Sequence, residues 1–436
     1  MTLKFAASVT AFMAAMAVAA PQPFAAEFTR IVGAAYPDAK FQMEADVPFV
    51  GLYQWSRITR EYNRQYPPID ALGLDFAESE YLLIPRLDIG LYRDLELYLK
   101  FPVVIQWVKT VSMDPSTKGY TSFTLNRQNR PGMQPSDAIV NVSGQSSRSG
   151  FGDMSVGLRY AIFNDQRPNH TLNRDKNSTT DPVWWDDTVA TWIVDFEYTA
   201  PTGSQIDPTS PNGGVGRKNH VLTFSTSASK RFRYADPYFG IFYSLPIPVD
   251  KDDPAIINAG QRGGFVVGTE IIPYEDHKAG HKFAFDLRMG ATYVGNAGRE
   301  QNEMSEFFPG KSFFQKDDKG NYVYDSTGYP IIANSKDFGR LKATEQFLEI
   351  TGQLGLYFVA AKYFKFSSYV GFGHNTLHFL TCDDLGVDKN GDGKINPGDG
   401  DTLNPNYEAE LDQRGNRFRL ADTFNMFWSV TLTGQF

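Results

Sequence analysis

Apolar and polar residues alternate with a period of two in stretch after stretch of this chain, the pattern of strands that have one apolar and one wet face. In "FQMEADVPFVGLYQW", Phe41, Met43, Ala45, Val47, Phe49, Tyr53 and Trp55 share a face, and in "LELYLKFPVVIQW" so do Leu95, Leu97, Leu99, Phe101, Val103, Ile105 and Trp107. The alternation predicts twelve strands, over 41–56, 79–91, 95–108, 151–163, 189–201, 217–231, 237–247, 263–273, 281–295, 343–360, 363–375 and 423–436. The last of them, "TFNMFWSVTLTGQF", puts Phe424, Met426, Trp428, Val430, Leu432, Gly434 and Phe436 on one side. Soluble strands run to about 5 or 6 residues, whereas a tilted strand crossing a bilayer needs roughly 9 to 11. An apolar strand at a chain end is also an unpaired edge that something must cover.

The connections sort into two classes. Tight ones at 92–94, 232–236, 274–280 and around Lys362 alternate with long polar ones at 57–78, 109–150, 202–216, 248–262, 296–342 and 376–422. Short periplasmic turns alternating with long extracellular loops characterise a membrane barrel, and in hydrocarbon every backbone polar group must be paired, so the last strand closes on the first. The expected fold class is therefore all-β: a transmembrane antiparallel β-barrel of about twelve strands in the outer membrane of a Gram-negative bacterium, surrounded by outer-membrane lipid. One connection, 164–188, is long on the short side and reads as a periplasmic extension. Pro48, Pro85, Pro102 and Pro246 fall inside expected strands, and each calls for a bulge or a break because proline donates no ladder hydrogen bond.

The first residues, with Lys4, an uncharged Ala- and Phe-rich run and then small residues, read as a secretory signal over 1–26 cut after Ala19 or Ala26. The barrel then occupies 27–436, and no transmembrane helix is expected in it. The single cysteine, Cys382, excludes a disulfide framework, and a net charge of −8 with a pI near 5.4 argues against nucleic acid as a partner. Phe436 at the end of an alternating strand is similar to the C-terminal signal that outer-membrane proteins present to the barrel-assembly machinery.

The segments "GFGDMSVGLRYAIFND" at 150–165, "ATWIVDFEYTAPTG" at 190–203, "SKRFR" and "YADPYFGIFYSLPI" carry a family resemblance. Gly150, Gly152 and Asp153, with Pro201, Thr202 and Gly203, make the chain resemble the MetA-pathway phenol-degradation family of outer-membrane barrels, similar in layout to FadL-type transporters of hydrophobic compounds. The resemblance covers about a third of the chain, roughly 150–295. It implies a channel or transporter for small solutes, organic or aromatic ones in particular. FadL-type proteins hold an N-terminal plug in the lumen; here about 14 to 20 mature residues precede the first strand, too few for a comparable hatch.

The parity that turns apolar residues to lipid turns Glu44, Asp46, Arg86, Asp88, Glu96, Lys100, Asp153, Arg159, Asp195, Glu197, Arg231, Glu270, Lys282, Asp286, Arg288, Glu349 and Lys365 inward, ten acids and seven bases. Facing lipid at mid-depth, an Arg or Lys would cost about 2 to 4 kcal/mol. The set supports either a polar, mildly cation-favouring conduit or a ladder of ion pairs that fills a narrow barrel. In the second case the protein is a surface scaffold or adhesin whose external loops bind a partner.

Two further constellations carry chemistry. In "DKNGDGKINPGD", Asp388, Asn390, Asp392, Lys394, Asn396 and Asp399 occupy the ligand positions of an EF-hand-type loop, with Gly393 at the turn and Asp in place of the usual final Glu. Hard oxygen ligands point to calcium as a structural cofactor. The clustered histidines, His374 with His378 and His277 with His281, lie at strand and loop junctions with no G-x-S-x-G elbow near them, so the chain is not read as an enzyme. The segment 316–331 reads as an external hairpin.

Overall fold

The computed structural model describes residues 28–32, 43–61, 74–113, 144–164, 190–206, 214–232, 234–251, 256–276, 281–305, 341–360, 364–395, 400–404, 406–407, 409–415 and 417–435. The signal segment, most of 164–188, the hairpin at 316–331 and Phe436 lie outside the described residues. In chain order the strands are β1 (Met43–Arg60), β2 (Leu74–Leu83), β3 (Arg86–Tyr92), β4 (Leu95–Lys100), β5 (Val103–Met113), β6 (Gly144–Phe151) and β7 (Ser155–Phe163). They continue with β8 (Thr191–Thr199), β9 (Asn219–Ser229), β10 (Ala235–Pro248), β11 (Arg262–Asp276), β12 (His281–Val294), β13 (Ala297–Glu300) and β14 (Lys342–Thr344). The last are β15 (Phe347–Ala360), β16 (Phe364–Asn375), β17 (His378–Phe379), β18 (Gly386–Val387), β19 (Thr402–Leu403) and β20 (Phe418–Gln435), with a one-turn helix at Ala409–Asp412.

A ring closes in the order β1-β3-β4-β7-β8-β9-β10-β11-β12-β15-β16-β20, and β20 pairs back onto β1. All pairings in it are antiparallel. Twelve strands thus complete the wall, and the C-terminal strand is covered by the N-terminal one, from Glu44↔Gln435 to Arg60↔Phe418. The outward face is apolar, with Phe196, Phe239, Ile241, Phe265, Val267, Leu287, Leu354 and Leu356 all exposed. Exposed aromatics gather at the periplasmic end of the strands, at Tyr92, Phe163, Trp192, Phe232, Tyr234 and Tyr274, and again toward the long external loops at Tyr243, Tyr293, Phe372 and Phe424. An apolar band between two aromatic girdles on a closed barrel is the outer surface of a protein that spans an outer membrane.

The strand ends differ from the periodicity-based ones where prolines intervene. The expected strand at 79–91 is two, β2 and β3, separated at Ile84 and Pro85; that at 95–108 is β4 and β5, separated at Phe101 and Pro102. The strand at 151–163 is β7 preceded by β6, which reaches back into the expected loop, and β20 likewise starts five residues earlier than the alternation suggests. Pro48 and Pro246 stay in strands. Pro48 sits where the β1 ladder passes from β3 to β2, and Pro246 pairs with Val221 beyond Ser244, where the β10–β11 ladder ends. Each proline thus lies where one neighbouring ladder is absent, and its missing N–H leaves no rung broken.

Candidate functional site

The breaks line up across the wall. The carbonyl of Pro48 accepts from Ile84 N–H (3.0 Å), that of Pro85 from Phe101 N–H (2.9 Å) and that of Pro102 from Gly152 N–H (2.9 Å). Three prolines on adjacent strands dislocate the sheet at one height. Below the line the wall runs β1-β3-β4-β7-β8; above it runs β1-β2-β5-β6. Among the described residues β6 pairs with β5 alone. Its other edge meets a loop instead of a strand: Asp153 accepts the N–H groups of Gly203 (2.8 Å) and Arg217 (3.2 Å), and Arg148 donates to the Gly214 carbonyl (3.1 Å). Gly216 approaches the Gly203 carbonyl so closely that a Cβ there would lie 2.6 Å from its oxygen. The Gly152-Asp153 and Thr202-Gly203 residues of the family resemblance therefore meet at this seam.

A half-enclosed cavity of about 140 Å³ opens beside the line of prolines. Its apolar wall includes Leu82, Ile84, Pro102, Val104, Val215 and Ala259, and its polar groups include Glu80, Lys100, Asp153, Arg217 and Arg262. Toward the outside it adjoins a buried apolar cluster inside the barrel, in which Val50, Leu52, Leu82, Val104, Trp107 and Phe427 of the wall meet Ile206, Ile257 and Leu341 from the long loops. The loops thus fold inward and fill the outer lumen with hydrocarbon.

Below the cavity the inner wall of the barrel is lined by ion pairs between neighbouring positions. Arg86 donates through Nε to Asp88 (2.6 Å) and lies 3.2 Å from Glu96; Arg159 joins Glu96 (3.5 Å) to Asp195 (3.0 Å). Lys100 meets Glu197 (2.5 Å), and Tyr98 donates to Asp195 and Glu197 (2.7 and 2.8 Å). On the opposite wall Lys282 meets Glu270 (2.5 Å) and Arg288 meets Asp286 (3.0 Å), while next to β3 Lys365 lies 3.5 Å from Glu44, the cross-strand neighbour of Asp88. Asp46 accepts from Thr433. Arg262 and Glu349 stand apart from this belt, 3.7 Å from each other at the cavity. Glu44, Asp46, Arg86, Asp88, Glu96, Glu197, Glu270, Asp286, Glu349 and Lys365 are all buried.

The segment ahead of β1, too short for a FadL-type hatch, still reaches into the lumen. Residues 28–32 enter the barrel at its periplasmic end, where Phe28 packs with Tyr238, Val266, Ile272, Ala284 and Tyr357 and Ile31 with Ala161 and Ile193. Polar atoms hold the segment as well. Arg30 pairs with Glu44, Thr29 Oγ1 is 2.6 Å from Ser229 Oγ, Val32 N–H donates to Glu96 (2.7 Å), and Arg159 donates to the Arg30 carbonyl (3.4 Å).

In the last external loop Asp388 accepts N–H groups from Gly391 (2.6 Å) and Gly393 (2.8 Å), Asn390 from Asp392 (2.8 Å) and Asp392 from Lys394 (2.7 Å). Gly391 and Gly393 have φ of +77° and +80°, which glycine adopts without strain. Asn396 and Asp399 lie outside the described residues. His374 and His378 are engaged as structural groups, each bonded through Nδ1 to a carbonyl, of Thr423 and Thr376, with His378 buried and stacked 4.0 Å from Phe347; His277 lies outside the described residues.

Glu80 and Arg262 are not among the expected inward charges, although Glu80 shares the parity of Arg86 and Arg262 that of Glu270. Each lies within a residue of where its expected strand begins, at 79 and 263, and parity defines a face least well at a strand end. Phe28 and Arg30 had no signal, since five residues carry no period.

No family model and no curated protein matches the chain. Among solved structures it is similar to the COG4313 outer membrane channel from Pseudomonas putida F1, at 10% identity and a TM-score of 0.40, over 93% of this chain and 100% of that one. A FadL homologue of Pseudomonas aeruginosa is similar at 9% identity and 0.32, over 90% of each chain. The toluene transporter TodX of Pseudomonas putida is similar at 10% and 0.26, over 92% of this chain and 90% of that one. These are likenesses of overall layout alone.

Proposed function

We propose that this barrel is an outer-membrane conduit for small organic solutes, which occupy the cavity at the line of prolines and leave sideways past β6. The observation that carries this reading is the position of the cavity: mostly apolar, beside a wall strand that among the described residues pairs along one edge alone, and above a lumen lined by ion pairs and entered by residues 28–32. An apolar cavity of about 150 Å³ accommodates benzene, so 140 Å³ suits a single small ring. A solute that has shed its water in such a cavity meets less resistance toward lipid through the seam than through a belt of charges. The test is uptake of a small neutral aromatic by intact cells that carry the barrel. Ala259→Trp fills the cavity and should bring uptake down to that of cells without it, while the variant still folds, as read by the mobility difference between heated and unheated samples. Unchanged uptake in a folded Ala259→Trp barrel would refute the conduit.

The ion pairs along the inner wall also favour the scaffold reading, in which the external loops bind a partner. A silent planar bilayer does not separate the two, because a sideways route carries no ionic current; uptake does.

We propose further that the loop from Asp388 binds calcium as a structural ion. Asp388, Asn390, Asp392 and the Lys394 carbonyl are its described oxygen donors, and the chain reversal at Gly391 and Gly393 is the turn such loops require.

A further inference from the structure

The sideways route has a narrowest place. Residues 214–217, just ahead of β9, run beside β6, and two side chains of the wall pin them there: Arg148 donates to the Gly214 carbonyl (3.1 Å), and Asp153 accepts the Arg217 N–H (3.2 Å). The segment is also braced from behind, since Gly216 N–H donates to the Ser204 carbonyl (2.6 Å) and the Gly216 carbonyl accepts from Ile206 N–H (2.8 Å). Val215 stands between the two pins, flanked by glycines that add no side chain. Across from it on β6 is Gly150, where a Cβ would meet Val215 Cγ2 at 3.7 Å and, its chain neighbours aside, no other described atom within 4 Å. Val215 also lines the cavity and packs against the buried apolar cluster. A solute that moves from the cavity past the edge of β6 therefore passes between Val215 and Gly150.

We propose that Val215 sets the width of the sideways exit, so that the barrel favours slim rings over rings with a substituent at the side. This rests on the conduit reading and deepens it. A close-packed passage pinned at both ends does not stretch to suit its solute, and in such a place one methylene changes selection by about 10- to 200-fold. Para-xylene travels lengthwise with the breadth of a bare ring. Meta-xylene has the same formula and the same apolar content, but one of its methyls always projects to the side. Val221 supplies the control, because it lines the same cavity from β9, where β8 and β10 pair on both sides and leave no exit.

Uptake of the two xylenes by intact cells, counted above that of cells without the barrel, tests this for the parent and for Val215→Ala, Val215→Ile, Val221→Ala and Ala259→Trp. The parent should take up para-xylene at least about tenfold faster than meta-xylene. Val215→Ala should erase that difference by admitting meta-xylene, Val215→Ile should slow para-xylene, and Val221→Ala should behave as the parent does although it enlarges the cavity by as much. A parent that carries both isomers equally overturns the proposal, and so does a Val221→Ala barrel that admits meta-xylene as readily as Val215→Ala. The parent's isomer ratio and Val215→Ile decide the matter even if Val215→Ala does not fold. If Ala259→Trp abolishes para-xylene uptake while both Val215 variants match the parent, the exit lies elsewhere and the role of Val215 alone is wrong. If the parent takes up neither isomer, the conduit reading falls with it.

Discussion

Phe28 and Tyr238 face each other with ring centroids 4.7 Å apart, one from the segment ahead of the first strand and the other from β10 inside the barrel. The guanidinium of Arg288 lies 5.3 Å from the centre of the Phe28 ring. This contact anchors the short N-terminal segment inside the lumen. Truncating a buried Phe to Ala costs about 3 to 5 kcal/mol. The double variant Phe28→Ala/Arg30→Ala should therefore release the segment and produce discrete current steps in a planar bilayer where the parent is quiet. A variant as quiet as the parent would show that the ion-pair belt alone closes the axis.

Arg86 is buried between Asp88 and Glu96 with its guanidinium 4.0 Å from the centre of the Tyr98 ring. Replacing it by Met leaves two buried carboxylates facing each other, a change that typically costs about 3 to 5 kcal/mol. The urea midpoint for loss of the fast-migrating folded band should drop markedly for Arg86→Met and less for Arg86→Lys. Equal midpoints for all three would mean that the pair is dispensable.

Lys342 in the external loops is fully buried and donates to Asp412 (2.7 Å) and the Asn406 carbonyl (2.6 Å), with Asp383 3.3 Å away. Burial pushes the Asp383 carboxyl up from 3.8 to about 6, against the pull of Lys342 and with Asp412 adding to the rise. The folded loops therefore bind this proton more tightly than the unfolded chain does. The stability it contributes is complete below pH 3.8 and is lost as the pH rises through about 6. Hydrogen exchange at the Ala343 amide, which donates to Asp383, should be better protected at about pH 5 than above pH 7 once intrinsic rates are corrected, and Asp383→Asn should abolish the difference.

Calcium should order the loop from Asp388 without affecting the barrel. Extracellular sites of this type bind at about 10⁻⁴ to 10⁻³ M, so millimolar calcium fills them and a chelator empties them. Protease cleavage between Asp383 and Asp412 should accelerate on chelation, Asp388→Ala should match the chelated rate, and the folded band should persist in every case. A cleavage rate indifferent to calcium, chelator and mutation would reduce the motif to a turn-rich loop.

The sequence by itself determined the class of this protein and most of its wall. Period-two alternation is local, so Val47, Phe49, Trp428 and Leu432 reveal an apolar face without knowledge of any partner, and hydrocarbon leaves such strands no arrangement but closure. The sorting of connections by length indicated which end of the barrel faces outward. Tertiary structure alone decided what lies inside. That Pro48, Pro85 and Pro102 fall at one height depends on the register of four strands, which no single strand contains. That Ile206, Ile257 and Leu341 turn into the lumen, that Phe28 finds Tyr238, and that Lys100 and Arg217 find acids of their own, all depend on contacts between segments far apart in the chain. Periodicity reports which way a side chain points. What it meets there is set by the closed ring, because inside a barrel every wall faces the others.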